Sequence, residues 1–323
     1  METRRMGRTG LQVAPICLGG NTFGWTTDQA KSEEVLDAYV EGGGNFIDTA
    51  DVYSVWVPGN TGGDSERVLG KWMKARGNRE NIIIASKVGS KMGERPNETG
   101  LSRQHIMAGV EASLRNLQTD YIDLYQSHRD DLNTPVEETL RAYDDLVAQG
   151  KVRYIGASNF AAWRLTRNLW ASDKYNYARY ETLQPLYNLY SREGYERELE
   201  PLVLDQQVGV IPYSSLASGF FSGKYRQGQP LPNTPRAQGV QRTYMNERGF
   251  KILAEIERVA EGHKVTNSQV ALAWLLARPG ITAPIVSGTS VEHVRELLGA
   301  AELKLSQDAI AALDKVSDWQ IKG

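Results

Sequence analysis

Asp48, Tyr53, Lys87 and His128 are the residues whose types and spacing could do chemistry together. Asp48, Asp51 and Tyr53 crowd into FIDTADVY (46–53), where a run of core-type residues breaks into two carboxylates and a phenol. Lys87 closes the aliphatic run IIIASK, 39 positions after Asp48, and His128 closes YIDLYQSH, 41 positions after Lys87. Each step is close to one strand–helix unit, so three consecutive strands would aim these groups at one rim. Such a set can protonate an oxygen while something else attacks its carbon. A phenol ionises near ~10, too high to act easily near neutrality. A neighbouring ammonium favours the phenolate and should bring that value down. A carboxylate keeps the ammonium charged and in place, and a neutral imidazole can hold a carbonyl oxygen near the phenol.

The elements that must position these groups are legible. Short runs rich in Ile, Val, Tyr and Phe fall at 16–20, 45–50, 81–89, 121–128, 151–160, 181–187, 208–215 and 281–288. They lack strict alternation, as expected of strands buried on both faces. Helical stretches lie between them. Thr134, Pro135 and Glu137 read as a capping-box start, with Gly150 as the stop. Ser102 reads as the cap of a helix whose apolar stripe is Ile106, Val110, Leu114 and Leu117. Gly42, Gly43 and Gly44 end the helix holding Val35 and Tyr39, and 266–276 reads as another helix before Pro279-Gly280. Strand and helix alternating eight times, without a low-complexity linker, predict an α/β fold. It is a (β/α)₈ TIM barrel, one domain over residues 1–323. ETRRMGRTGLQV suggests an N-terminal β-hairpin turning near Gly7 or Gly10 and plugging the barrel bottom. The stretches 52–66 and 223–242 read as long binding loops.

Composition narrows the function. The 323 residues are 41% hydrophobic and 24% charged, ordinary for a globular protein with a sizeable core. Net charge is −2 with no long Lys/Arg run, so no nucleic-acid partner is expected. The start is charged and no apolar stretch reaches a membrane span, so no membrane association and a cytoplasmic location are expected. The single cysteine, Cys17, sits in APICLGG and reads as a small buried hydrophobe. No metal site is expected.

With these residues in view, the chain resembles the aldo-keto reductases from end to end. The matching stretches are FIDTADVY, IIIASKVG, DLYQSH, GKVRYIGASNF, LQPLYN, PYSSLASGFFSGKY and APIVSGTSVEHV. The resemblance makes Asp48, Tyr53, Lys87 and His128 the catalytic tetrad. Hydride then comes from a nicotinamide cofactor and Tyr53 is the acid. It explains why no GxGxxG follows the first strand, because in that family the dinucleotide lies extended across the barrel mouth. It implies that Ser158, Asn159 and Gln184 bond the nicotinamide carboxamide and that Tyr213 stacks on its ring. It places Ser214, Leu216, Ser218, Gly219 and Lys224 in the loop over the pyrophosphate, with Lys224 as a charge partner. At the adenosine end, Gly288, Thr289, Ser290 and His293 would bind a phosphate through backbone and hydroxyl groups near a helix N-terminus, with Arg295 reaching in. Many relatives carry Lys or Arg near Ser290 or His293 and Asn near Leu297. This chain does not, so NADP is favoured over NAD without NAD being excluded. Trp25 and Trp56, in rim loops, are the candidate substrate contacts. The expected reaction is reversible reduction of small-molecule aldehydes or ketones. Two rivals stand beside it: a regulatory channel-subunit barrel that binds the cofactor with little catalysis, and a Schiff-base lyase using Lys87. The oligomeric state is open.

Overall fold

A computed structural model of the chain describes residues 1–320. Two short strands, β1 (Arg4–Arg5) and β2 (Gln12–Val13), pair antiparallel. Eight parallel strands follow: β3 (Cys17–Gly19), β4 (Phe46–Asp48), β5 (Ile83–Val88), β6 (Ile122–Ser127), β7 (Val152–Ser158), β8 (Tyr180–Gln184), β9 (Gly209–Val210) and β10 (Ile285–Val286). Seven fall inside the runs expected from sequence, and β8 begins one residue before its run, at Tyr180. Their order is β10-β3-β4-β5-β6-β7-β8-β9, and a parallel bridge from Val210 to Ile281 brings the two ends together. The sheet therefore closes into the (β/α)₈ barrel.

Two apolar layers hold it. One lies between strands and helices and includes Leu36, Trp72, Ile106 and Trp274. The other fills the barrel: Cys17, Phe46, Ala85, Leu124, Ile211 and Ala283, with Met6 and Val13 of the hairpin closing its lower end. Gly7, at φ +54°, lies so close to the Glu181 carbonyl and the Gly209 amide that a Cβ would sit 2.7 Å from each. The hairpin thus turns at Gly7, pressed on the barrel bottom, as the sequence suggests.

Strand periodicity sets up the site. Side chains two residues apart share a face, so the apolar layer Phe46, Ala85, Leu124 is followed upward by Asp48, Lys87 and Gln126. The barrel interior changes from apolar to polar in one step.

Most helix ends match their signals. Ser102 accepts from the His105 amide at 3.3 Å, and Gly42 is the C-cap of the helix Gln29–Glu41. Thr266 and Gln269 form a true capping box. The capping box expected at Thr134 is not formed. The helix Val136–Ala148 has Pro135 at its N-cap with no side-chain cap, because the Thr134 hydroxyl donates instead to Asp131 at 2.7 Å. Gly150, at φ +74°, follows that helix as its stop.

Candidate active site

The upper polar layer converges on Lys87. Its ammonium is wholly buried and donates three bonds: to Asp48 Oδ2 at 2.7 Å, to the Thr49 carbonyl at 2.8 Å and to the Tyr53 hydroxyl at 2.8 Å. Tyr53 Oη also donates to Asp48 Oδ2, at 3.1 Å. The other Asp48 oxygen accepts from Gln184 at 2.9 Å and Gln126 at 3.4 Å. The His128 ring lies edge-on to Tyr53, centroids 6.0 Å apart. The four residues expected to act together do meet, and Gln126 and Gln184 fasten Asp48 from below.

Electrostatics qualifies the sequence reading at Tyr53. Burial, then the charge of Asp48, pushes its phenol well above the ordinary value, so in the resting site it is firmly protonated. The expected lowering by Lys87 is outweighed by burial first, and then by Asp48 bonded to the same hydroxyl. Burial pulls the Lys87 ammonium down while Asp48 holds it up. Burial, then Lys87 and Arg129, drives the His128 imidazole down to about 3, so it is neutral near pH 7. The Ser90 hydroxyl lies 3.2 Å from its Nδ1.

Above this floor opens a cleft of about 520 Å³. Asp48, Tyr53, His128, Ser158, Asn159 and Gln184 line one end, and Tyr213, Ser214, Leu216, Ser218, Gly219 and Lys224 line its wall. Thr289 and His293 line the far end and Trp25 the near rim. Ser158 does not cap a helix; its hydroxyl donates to the Gln184 carbonyl at 2.9 Å. Tyr213 Oη donates to Asn159 Oδ1 at 2.9 Å, which fixes the ring beside Ser158.

Four of the expected residues lie outside this cleft. Gly288 lies under Val294 and does not line the cleft. Nor does Ser290, whose hydroxyl is engaged as the cap of the helix Val291–Leu298, accepting from His293 at 3.2 Å. Arg295 points away, 67% exposed and 3.9 Å from Glu41. Trp56 stands outside the cleft, 48% exposed, its ring edge-on to Trp25 at 5.4 Å. Lys224 does line the cleft, and it has no acidic partner among the described residues.

The cleft also holds residues the sequence reading missed. Arg236 lines it from the 223–242 loop, its guanidinium 5.7 Å from the Trp25 ring, with no ion pair among the described residues. Arg129 lines it next to His128. Asn21 and Ser287 join the first and last barrel strands by a 2.6 Å hydrogen bond. The signal for Arg236 was partial: the Pro-rich loop already read as a binding loop carries three arginines, Arg226, Arg236 and Arg242, and only Arg236 lines the cleft.

Positively charged and amide groups thus line the cleft. Lys224 and Arg236 offer unpaired positive charge, and the Gln184 side-chain carbonyl has no donor among the described residues. No group of His, Cys, Asp and Glu among the described residues is arranged to hold a metal ion. No helix among them is long and apolar enough to cross a membrane.

A parallel barrel whose strands deliver acid–base groups to one mouth is built as an enzyme of the (β/α)₈ type. The chain belongs to the aldo/keto reductase family, whose sequence pattern matches residues 15–318. It is 36% identical to the Uncharacterized oxidoreductase YrpG of Bacillus subtilis, over 98% of this chain and 96% of that protein. It is 31% identical to the Norsolorinic acid reductase of Aspergillus flavus, over 97% and 80%. It is also 31% identical to a Probable voltage-gated potassium channel subunit beta of Arabidopsis thaliana, over 94% and 92%. Membership of this family, with oxidoreductases among the relatives, gives the chain a general oxidoreductase role.

Proposed function

We propose that the protein is a nicotinamide-dependent reductase of small-molecule aldehydes or ketones, working reversibly, with Tyr53 as general acid. The observation that carries this is the 2.8 Å contact between the Tyr53 hydroxyl and a buried Lys87 that Asp48 holds at 2.7 Å. A resting phenol that is firmly protonated suits a proton donor. As its proton leaves for the substrate oxygen, the Lys87 ammonium stabilises the phenolate that forms. Asp48 keeps that ammonium in line, and Gln126 and Gln184 keep Asp48 in line. With the Ser90 hydroxyl donating to Nδ1 of the neutral His128, Nε2 carries the ring proton and can donate to the carbonyl oxygen.

The cofactor would lie across the mouth. Ser158, Asn159 and Gln184 would take the carboxamide, Tyr213 the ring, the 214–219 wall with Lys224 the pyrophosphate, and Thr289, His293 and Arg236 the ribose end. Bound there, a dihydronicotinamide supplies hydride. Arg236 and Lys224 favour NADPH, with NADH as a second cofactor. Trp25 and Trp56 form an aromatic corner beside Tyr53 that suits a flat or apolar carbonyl compound. A cytoplasmic location fits one lone, buried cysteine.

The relatives named as channel subunits favour a second reading, in which the barrel binds cofactor and regulates a partner. A panel of carbonyls and alcohols scored with NADPH and NADH separates the two. Turnover of reactive aldehydes that collapses in Tyr53→Phe supports the reductase. Tight cofactor binding with no turnover on any carbonyl supports the regulator.

A further inference from the structure

The stretch FIDTADVY carries two aspartates, and the site as described employs only one. Asp51 is 4% exposed, and neither of its carboxyl oxygens has a hydrogen-bond partner among the described residues. The backbone fixes it behind the lysine: its amide donates to the Lys87 carbonyl at 3.3 Å, and its own carbonyl accepts from Gly63. Glu66, wholly buried on the helix Asp64–Arg76, is the like charge that acts on it. From strand β6 and the helix Val136–Ala148, the Tyr125 and Tyr143 phenols feel its charge. Ser113, on the helix Arg103–Leu117, has a buried hydroxyl that is equally unpartnered, as does Tyr125.

Two buried carboxyl groups, Asp48 and Asp51, thus act on one buried ammonium, and Glu66 acts on Asp51. Asp48 takes the ion pair. Glu66 has donors of its own, Ser86 at 2.6 Å and Asn116 at 3.1 Å. Asp51 has no side-chain donor, only the Val52 amide beside it, and Lys87 cannot serve it, because all three ammonium hydrogens are committed. An ionised carboxylate in that position loses its hydration with no partner to offset the loss.

We infer that Asp51 is a positioning residue of the reaction: it sits behind Lys87 as a neutral carboxylic acid, leaving the Asp48–Lys87 pair at zero net charge and the ammonium free to stabilise the Tyr53 phenolate. The inference rests on Tyr53 being the acid. Burial, then the Glu66 charge, pushes the Asp51 carboxyl well above the usual range; the Val52 amide and Lys87 work against this and are outweighed. An ionised Asp51 would raise the proton affinity of both Lys87 and Tyr53 and hold the phenol proton back.

The sign of a pH shift decides the matter. Infrared spectra of the parent at pH 7 should show the carbonyl band of a buried protonated carboxyl, and Asp51→Asn should lose it. In the same variant the alkaline limb of the kcat profile for carbonyl reduction should stay where it is or move up. A limb moving down by about one pH unit would mean that a real negative charge had been removed from beside Lys87, and would overturn the inference. So would the absence of the band in the parent, or its survival in Asp51→Asn. Should Asp51→Asn not fold, Glu66→Gln serves: the band should persist at pH 7 and titrate at lower pH than in the parent, and its loss at pH 7 would overturn the inference. The band is read on the protein alone. A parent inactive on every carbonyl yet showing the band would sink the reductase reading and leave the Asp51 proton standing.

Discussion

The two ends of the cleft are built on different principles. At the floor, Asp48, Lys87, Gln126 and Gln184 are locked by direct side-chain bonds, all buried, on four strands of one sheet. At the far end, Thr289 is exposed, Ser290 is engaged in capping its own helix, and the remaining positive charge comes from Lys224 and Arg236 on a loop. A rigid floor suits a reaction whose proton must move over one hydrogen bond. A looser rim suits a ligand gripped by charge, where small displacements cost little. The difference predicts large, all-or-none effects at the floor and graded ones at the rim.

The largest effect tests the floor. Lys87→Met keeps the stem and removes the charge. It should lower turnover by at least ~10²-fold with the fold intact, since a thioether cannot stabilise the phenolate. Tyr53→Phe keeps the ring and removes the proton, with a similar loss and cofactor affinity little changed. Near-normal turnover in a folded Tyr53→Phe would strip Tyr53 of its role. Circular dichroism beside steady-state kinetics checks both.

At the rim the effect should be smaller. Arg236→Met should weaken NADPH by about tenfold, roughly 1.4 kcal/mol. If NADH weakens equally, Arg236 grips the pyrophosphate; if NADH is spared, it grips the 2′-phosphate. No change with either would remove it from the cofactor site.

His128 gives a third test, in which stability responds instead of turnover. Its folded value is about 3, below the ~6.5 of an unfolded imidazole. Between those values the unfolded chain binds the extra proton, so His128 costs stability as pH falls below ~6.5. The slope from this one group is at most about 1.4 kcal/mol per pH unit. Urea unfolding from pH 7 to 4.5 should show the parent losing more stability than His128→Asn. Equal losses would mean that the imidazole is accessible to protons in the folded state.

The same contrast explains what was legible in the sequence. The floor could be read because its groups recur at the ends of strands about one strand–helix unit apart, and a strand's period of two fixes which side chains point inward. Gln126 has that periodicity, two residues after Leu124, yet a neutral amide drew no attention. The rim was read less well because loops have no period. Nothing local says that Arg236 turns inward while Arg295, on a regular helix, turns outward toward Glu41. Thr134 failed for a related reason: a cap signal is local, and Asp131, three residues earlier, outcompeted the helix for its hydroxyl. The lowering of the Tyr53 phenol by Lys87 was sound for the pair alone. It failed because the hydroxyl is buried and because Asp48 bonds both partners, neither of which spacing along the chain reveals.

The smallest effect is expected at Ser290, and it joins the two ends of the argument. Placing Arg there adds the charge that many relatives carry near this position. It also removes a hydroxyl that accepts from the His293 amide at 3.2 Å, and losing an N-cap of this kind costs about 1 kcal/mol. Ser290 does not line the cleft, so the new guanidinium must reach over Thr289, and Arg236 is already inside. In the parent background, Ser290→Arg should therefore raise the preference for NADPH over NADH by less than about tenfold, with a melting temperature lowered by a few degrees. In the Arg236→Met background the same substitution should gain more, because the phosphate is then without its first partner. Fluorescence titrations of both cofactors on the four proteins measure the coupling. Equal gains in the two backgrounds would mean that positions 236 and 290 serve different phosphates, and the rim would then be two independent sites instead of one shared grip.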